Sequence, residues 1–143
     1  MRYIFTIIGL LATMFAYGQS ENTSTLADSL LQQIDQADEV KKVAIYNKLS
    51  SLYHTTNPKK SVEYAQKAIN LSQNNNFRIG VARGLNNIGQ AQAIRGNYVN
   101  ALAYYLRALT MIEAERPEMV ASDKANMLGN IAEVYYRISS KKG

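Results

Sequence analysis

Two side chains much used in covalent and metal chemistry are scarce in this 143-residue sequence, which has no cysteine and a single histidine, His54. That excludes thiolate nucleophiles, thiolate zinc sites, disulfides, a lipidated bacterial N-terminus and any site needing two imidazoles from one chain. His54 has no second ligand or acid at helical spacing, so it reads as a surface or groove side chain. Asp35, Asp38 and Glu39 cluster in a turn but lack calcium-loop spacing with its central glycine. Glu113, Glu115 and Glu118 flank Pro117 at a helix junction, where Glu118 is favoured by the helix dipole. No Gly-rich phosphate loop, nucleophile elbow or paired-carboxylate arrangement occurs. The chain is therefore read as a non-enzyme with no cofactor and no metal. What remains is binding chemistry: amides, tyrosines and scattered bases.

Those groups must be positioned by helices. Almost no stretch alternates with period two, whereas apolar residues recur at helical spacing. Polar punctuation divides the chain into six expected helices, about 25–36, 40–54, 58–74, 78–95, 98–114 and 118–139. Thr25 with Asp28 resembles a capping box, and Asn57-Pro58 places a good N-cap before proline at the first helical position. Asn74-Asn75-Asn76 and Gly96-Asn97 tolerate the conformations that end helices. Short turns between such helices imply antiparallel neighbours.

Ahead of them stands a targeting segment. Arg2 precedes the 13-residue apolar stretch Tyr3 to Phe15, and Ala16-Tyr17-Gly18 offers small residues before a cut at Gln19. This is the pattern of a secretory signal peptide over 1–18, too short to span a membrane, which needs roughly 20 apolar residues. Export to the periplasm or cell envelope is expected. Residues 19–39 form an acidic segment with one helix, since 19–40 carry five acids and no base. Residues 41–112 carry ten bases against Glu63, and 113–143 balance at five of each. The bases are spread out, with no Arg/Lys cluster and no reader motif, so nucleic acid is not expected as a partner. The basic middle instead favours an acidic one.

The mature chain repeats itself. Tyr46-Asn47-Lys48-Leu49-Ser50, Leu85-Asn86-Asn87-Ile88-Gly89 and Leu128-Gly129-Asn130-Ile131-Ala132 share one large–small register, 39 and 43 residues apart. The helices between them match as well, Val62 to Ile69 against Leu102 to Leu109, 40 residues apart. The unit is thus a helical hairpin over about 40–76 and 78–116, with a partial third over 118–139. Ser50, Gly89 and Ala132 share one small position, Ala68 and Ala108 another, Ser61 and Ala101 a third. Small side chains let helix axes approach at the short end of the usual 8–10 Å range. Leu49, Tyr53, Ile88, Ile131 and Tyr135 are expected to fill the space beside these contacts.

This pattern resembles the tetratricopeptide repeat, a family of 34-residue helical hairpins. Leu85, Ile88, Gly89, Gly96, Tyr98, Ala101, Tyr105 and Ala108 fit its large and small positions; Gln92 stands where an aromatic is usual, and the closing proline comes late, at Pro117. The likeness covers about 40–139, and the longer period implies lengthened helices, as in bacterial tetratricopeptide sensors. It implies an all-α, right-handed superhelix of antiparallel hairpins whose first helices line a concave groove. Carried onto this sequence, the groove residues include Asn47, Ser51, Arg83, Asn86, Gln90, Asn126 and Glu133. Their amides can pair with a peptide backbone as donor and acceptor. The family's carboxylate clamp needs lysines where Asn47, Ser51 and Asn126 stand, and is not carried over. The expected role is a protein- or peptide-binding module, the sensory input or scaffold of a longer bacterial signalling protein joined to the membrane only by an uncleaved signal or a further C-terminal part. A free-standing periplasmic adaptor or assembly scaffold is the alternative.

Overall fold

The structure, a computed structural model, describes residues 24–140, and all regular structure among them is helical. Helix α1 spans 24–32, followed by α2 (Glu39–Tyr53), α3 (Pro58–Asn74), α4 (Arg78–Ile94), α5 (Tyr98–Ile112) and α6 (Pro117–Ser140). The expected signal segment, 1–18, lies outside the described residues. The first helix is shorter than expected: Gln33 and Ile34 donate to Leu30 and Leu31 carbonyls in tight turns. Ile34 and Ala37 still pack against the cluster around Ala27, Leu30 and Leu49. The apolar rhythm there reported burial, not continued helix. Residue 24 is already helical, so the Thr25 and Asp28 pair lies inside α1 rather than at its cap.

Other boundaries follow their chemistry. Asp38 caps α2 by accepting from the Lys41 N–H at 2.7 Å, and Asn57 caps α3 by accepting from Lys60 at 3.0 Å, ahead of Pro58. Asn76 (φ 54°) and Gly96 (φ 80°) take the left-handed conformations that close α3 and α4. Arg78 donates twice to the Met111 carbonyl, at 3.2 and 3.1 Å, placing a cation on the orphan carbonyls at the end of α5.

Each helix packs on the next, and α2, α4 and α6 also touch in sequence, whereas α3 and α5 do not meet. The small positions make the close contacts. Ser50, Ser61, Ala68, Ala101 and Ala108 are all fully buried, and Ser50 Oγ donates to the Ser61 carbonyl at 2.8 Å, sealing α2 to α3. A Cβ on Gly84 would lie 2.5 Å from Ile69 of α3, and one on Gly89 would lie 2.5 Å from the Tyr105 ring of α5. The largest core cluster joins Ile69, Leu85, Ile88, Ile112, Val120 and Met127 across α3 to α6. Toward the other end, Tyr64 stacks between Tyr46 and Tyr53 (centroids 6.3 and 5.9 Å), with Lys60 donating to the Tyr53 hydroxyl at 3.0 Å. That hydrogen bond holds the Lys60 ammonium above its ordinary pKa.

One packing expectation fails. Ala132 is exposed and Tyr135 is 59% exposed, although Ser50 and Gly89 in the same register are buried. α2 turns that face to α3 and α4 turns it to α5; among the described residues no helix follows α6 to cover it.

The two glycines on the repeated segment provide a test. Alanine favours a helix over glycine by roughly 0.5–1 kcal/mol. Gly129 has nothing within 4 Å of a Cβ, so Gly129→Ala should stabilise by about that amount. Gly89→Ala pushes into a buried ring and should destabilise by about 1–2 kcal/mol net of the helical gain. Urea unfolding of both variants checks the opposite signs. A stabilised Gly89→Ala would remove the close α4–α5 contact.

Candidate functional site

Where α2, α4 and α6 lie side by side they enclose a polar cleft of about 330 Å³. It is lined by Asn47 and Ser51 from α2, by Arg83, Asn86, Asn87 and Gln90 from α4, and by Asp123, Asn126, Met127 and Asn130 from α6. Six of the seven residues expected to share a groove therefore do so. Glu133 lines an adjoining pocket of about 170 Å³, to which Gln90 and Asn130 also belong.

The amides do two different jobs. Asn87 Nδ2 donates to the Asn47 carbonyl at 2.9 Å and lies 3.4 Å from its Oδ1, while Asn47 Nδ2 donates to the Gly80 carbonyl at 3.3 Å. One repeat further on, Asn130 Nδ2 donates to Asn86 Oδ1 at 2.9 Å. Asn47, Asn86 and Asn87 are buried. Their polar atoms would be costly to bury unpaired, at roughly 1–3 kcal/mol each, so the ladder both satisfies them and fixes how neighbouring helices register. Asn47 and Asn86 line the cleft chiefly as its wall. Ser51 and Asn126 are exposed within it and are better placed to meet a ligand. Gln90 Oε1 is withdrawn from solvent and has no hydrogen-bond partner.

The charges are matched inside the cleft. Arg83 forks to Asp123 with Nε and Nη2 each 2.9 Å from a carboxylate oxygen, tying α4 to α6 across 40 residues. Arg137 holds Glu133 one turn away, with contacts of 2.8 and 2.7 Å, and that carboxylate raises the guanidinium pKa further. His54, at the end of α2, has Nδ1 2.6 Å from the Ser51 carbonyl and borders the smaller pocket. Tyr105 forms part of that pocket's floor, and burial, with a smaller effect from the Glu133 charge, pushes its hydroxyl up to about 12. It stays neutral at physiological pH.

Asn87, Asn130 and Asp123 were not among the expected residues. The signal for two of them was present: Asn87 and Asn130 occupy the same place in the repeated segment, immediately after the groove position. Lys48 takes that place in α2, which among the described residues has no preceding helix of its kind to bond. Asp123 had no such marker, because its partner is set only by how α4 and α6 pack.

Among the described residues no group of three His, Asp or Glu side chains is placed to hold a metal ion, and no helix is long and apolar enough to cross a membrane. Compared with protein-family models, curated proteins and solved structures, the chain matches none.

The ladder and the ion pair should separate in stability. Asn87→Ala removes a buried bond and should cost about 1–2 kcal/mol, whereas Arg83→Ala breaks an exposed pair and should cost no more than about 1 kcal/mol. Urea midpoints at low and high salt measure both. Only the Arg83→Ala loss should shrink with salt. A smaller loss for Asn87→Ala than for Arg83→Ala would make the ladder incidental.

Proposed function

We propose that this chain is a non-enzymatic binding module of the tetratricopeptide type that holds an extended segment of another protein in its polar cleft. The observation that carries the reading is the convergence of Asn47, Ser51, Arg83, Asn86, Gln90 and Asn126, from three helices about 40 residues apart, on one concavity. A superhelix curved toward the cleft is supported by α4 touching both α2 and α6 while α3 and α5 stay apart; its right hand is what the resemblance to the tetratricopeptide repeat implies. The absence of cysteine and the single imidazole support a binding role rather than catalysis. The apolar run before Gln19 supports export to the periplasm or envelope. There the module acts as the sensory input or scaffold of a longer signalling protein. An acidic partner is less favoured than the charge count suggests, because Arg83 is already matched by Asp123.

Ser51→Trp and Asn126→Trp each fill the cleft from an exposed position without touching the asparagine ladder. On an array of immobilised 12-residue peptides, both should lose capture by at least about tenfold, the loss of roughly 1.4 kcal/mol, with melting temperatures close to the parent. Lys59→Trp, outside both pockets, should bind as the parent does. Capture unaffected by both cleft variants would end the proposal. Export has its own check: residues 1–24 fused to alkaline phosphatase, which needs oxidised disulfides to be active, should give active enzyme only outside the cytoplasm.

A further inference from the structure

The smaller pocket differs in kind from the cleft it adjoins. Ala93, Ile94, Tyr105 and Val134 line it beside the polar His54, Gln90, Asn130, Glu133 and Arg137, with Gln90 and Asn130 shared with the cleft. Gly89 leaves room for the Tyr105 ring to lie against α4. Tyr105 is 2% exposed and Val134 is fully buried, so the apolar surface open to a ligand is chiefly that of Ala93 and Ile94. Ile94 is 49% exposed. It presents apolar surface beside the pocket that nothing among the described residues covers.

Among the described residues no unbalanced charge lines either cavity. Arg83 is matched by Asp123 in the cleft, and Glu133 by Arg137 at the pocket rim. A charged ligand would have to break one of these pairs to find a counter-ion, whereas an uncharged main chain finds amide donors and acceptors. Gln90 supplies the link. Its Oε1 is a buried acceptor without a donor, which is costly, and the residue borders both cavities. A peptide N–H arriving at their junction would satisfy that acceptor once the amide turns toward it.

We infer that the pocket formed by Ala93, Ile94, Tyr105 and Val134 seats one apolar side chain, of leucine, methionine or phenylalanine size, from an uncharged extended peptide whose main chain runs along the cleft. This rests on the peptide-binding reading above and adds its specificity: recognition by main chain and one apolar anchor rather than by charge.

The purified chain is screened on an array of 12-residue peptides, and the best binder is titrated by calorimetry. The selected peptides should carry little net charge and share one apolar residue. Affinity should change by less than about threefold between 0.05 and 0.5 M NaCl, since screening acts on charges that are not used. Replacing the anchor with alanine should weaken binding by about tenfold or more, the scale of a side chain's apolar burial. Ala93→Leu, which fills the pocket, should weaken the anchored peptide similarly and leave the alanine peptide unchanged, so that the two losses do not add. Should Ala93→Leu lose its fold, Ile94→Asp, at an exposed wall, is expected to give the same non-additive pattern. Selection of charged peptides, steep salt dependence or additive losses would overturn the inference while leaving cleft binding intact, provided Ser51→Trp still abolishes capture. The absence of any captured peptide would overturn both.

Discussion

The structure depends on one constraint: successive helices from α2 to α5 approach most closely where one of them has almost no side chain. Gly89 against the Tyr105 ring, Gly84 against Ile69 and Ser50 against Ser61 set the spacing between successive helices. Because these contacts alternate along the chain, α4 is held tightly from both sides, by α3 and by α5. That leaves its third face, bearing Arg83, Asn86 and Gln90, to meet α2 and α6. A glycine inside a helix costs backbone entropy, roughly 0.5–1 kcal/mol. At Gly89 that cost is offset by the packing of a whole tyrosine ring, since an aromatic buries about 150–250 Å² of surface. Cleft and pocket are both consequences of this spacing.

Polar chemistry then specifies what spacing alone leaves free. Apolar contacts between helices are tolerant of sliding, whereas a buried amide is satisfied in one register only. The Asn87–Asn47 and Asn130–Asn86 bonds fix the lateral neighbours within the α2, α4 and α6 layer. The Arg83–Asp123 fork adds a charged contact at the exposed mouth. Its contribution is smaller than that of a buried bond because water screens it, but its geometry closes the cleft to stray counter-ions. Side chains of one chemical type thus take different places: Asn47, Asn86 and Asn87 are buried in the wall, whereas Asn126 is exposed in the cleft.

Much of this was legible in the residues. Helical periodicity, the Asn57-Pro58 start, the Gly96 stop and the recurring small positions located α2 to α6 to within a few residues, since each marker has a direct backbone cause. The face shared by Asn47, Arg83, Asn86 and Gln90 followed from spacing on repeated helices. What stayed hidden was everything decided between helices. The pairing of Arg83 with Asp123 needs the lateral offset of α4 and α6, and no pattern within either segment encodes it. The asparagines that hold the wall and those that face the cleft have identical side chains, so burial alone separates their roles. The end of α1 was misplaced because Ile34 and Ala37 are buried by tertiary contact after the helix has stopped.

The unequal repeat spacing shows how such an array absorbs an insertion. α6 begins at Pro117, eleven residues before Leu128, whereas α4 begins at Arg78, only seven before Leu85. The extra four residues amount to about one helical turn of 3.6, so they lengthen α6 at its start without rotating the faces downstream. Val120, within that added turn, is buried with Ile112 and Met127, which anchors the extension to the core. The downstream register survives: Asn130 still reaches α4 as Asn87 reaches α2. The acceptor changes, however, from the main-chain carbonyl of Asn47 to the side chain of Asn86. A main-chain acceptor demands close approach of the helix backbone, while a side chain can reach across a wider gap. The α4–α6 seam is therefore the looser of the two, and it is the seam on which Arg83 and Asp123 meet and into which the apolar pocket opens. That seam lies between the α2–α4 wall and a helix whose far face is uncovered among the described residues.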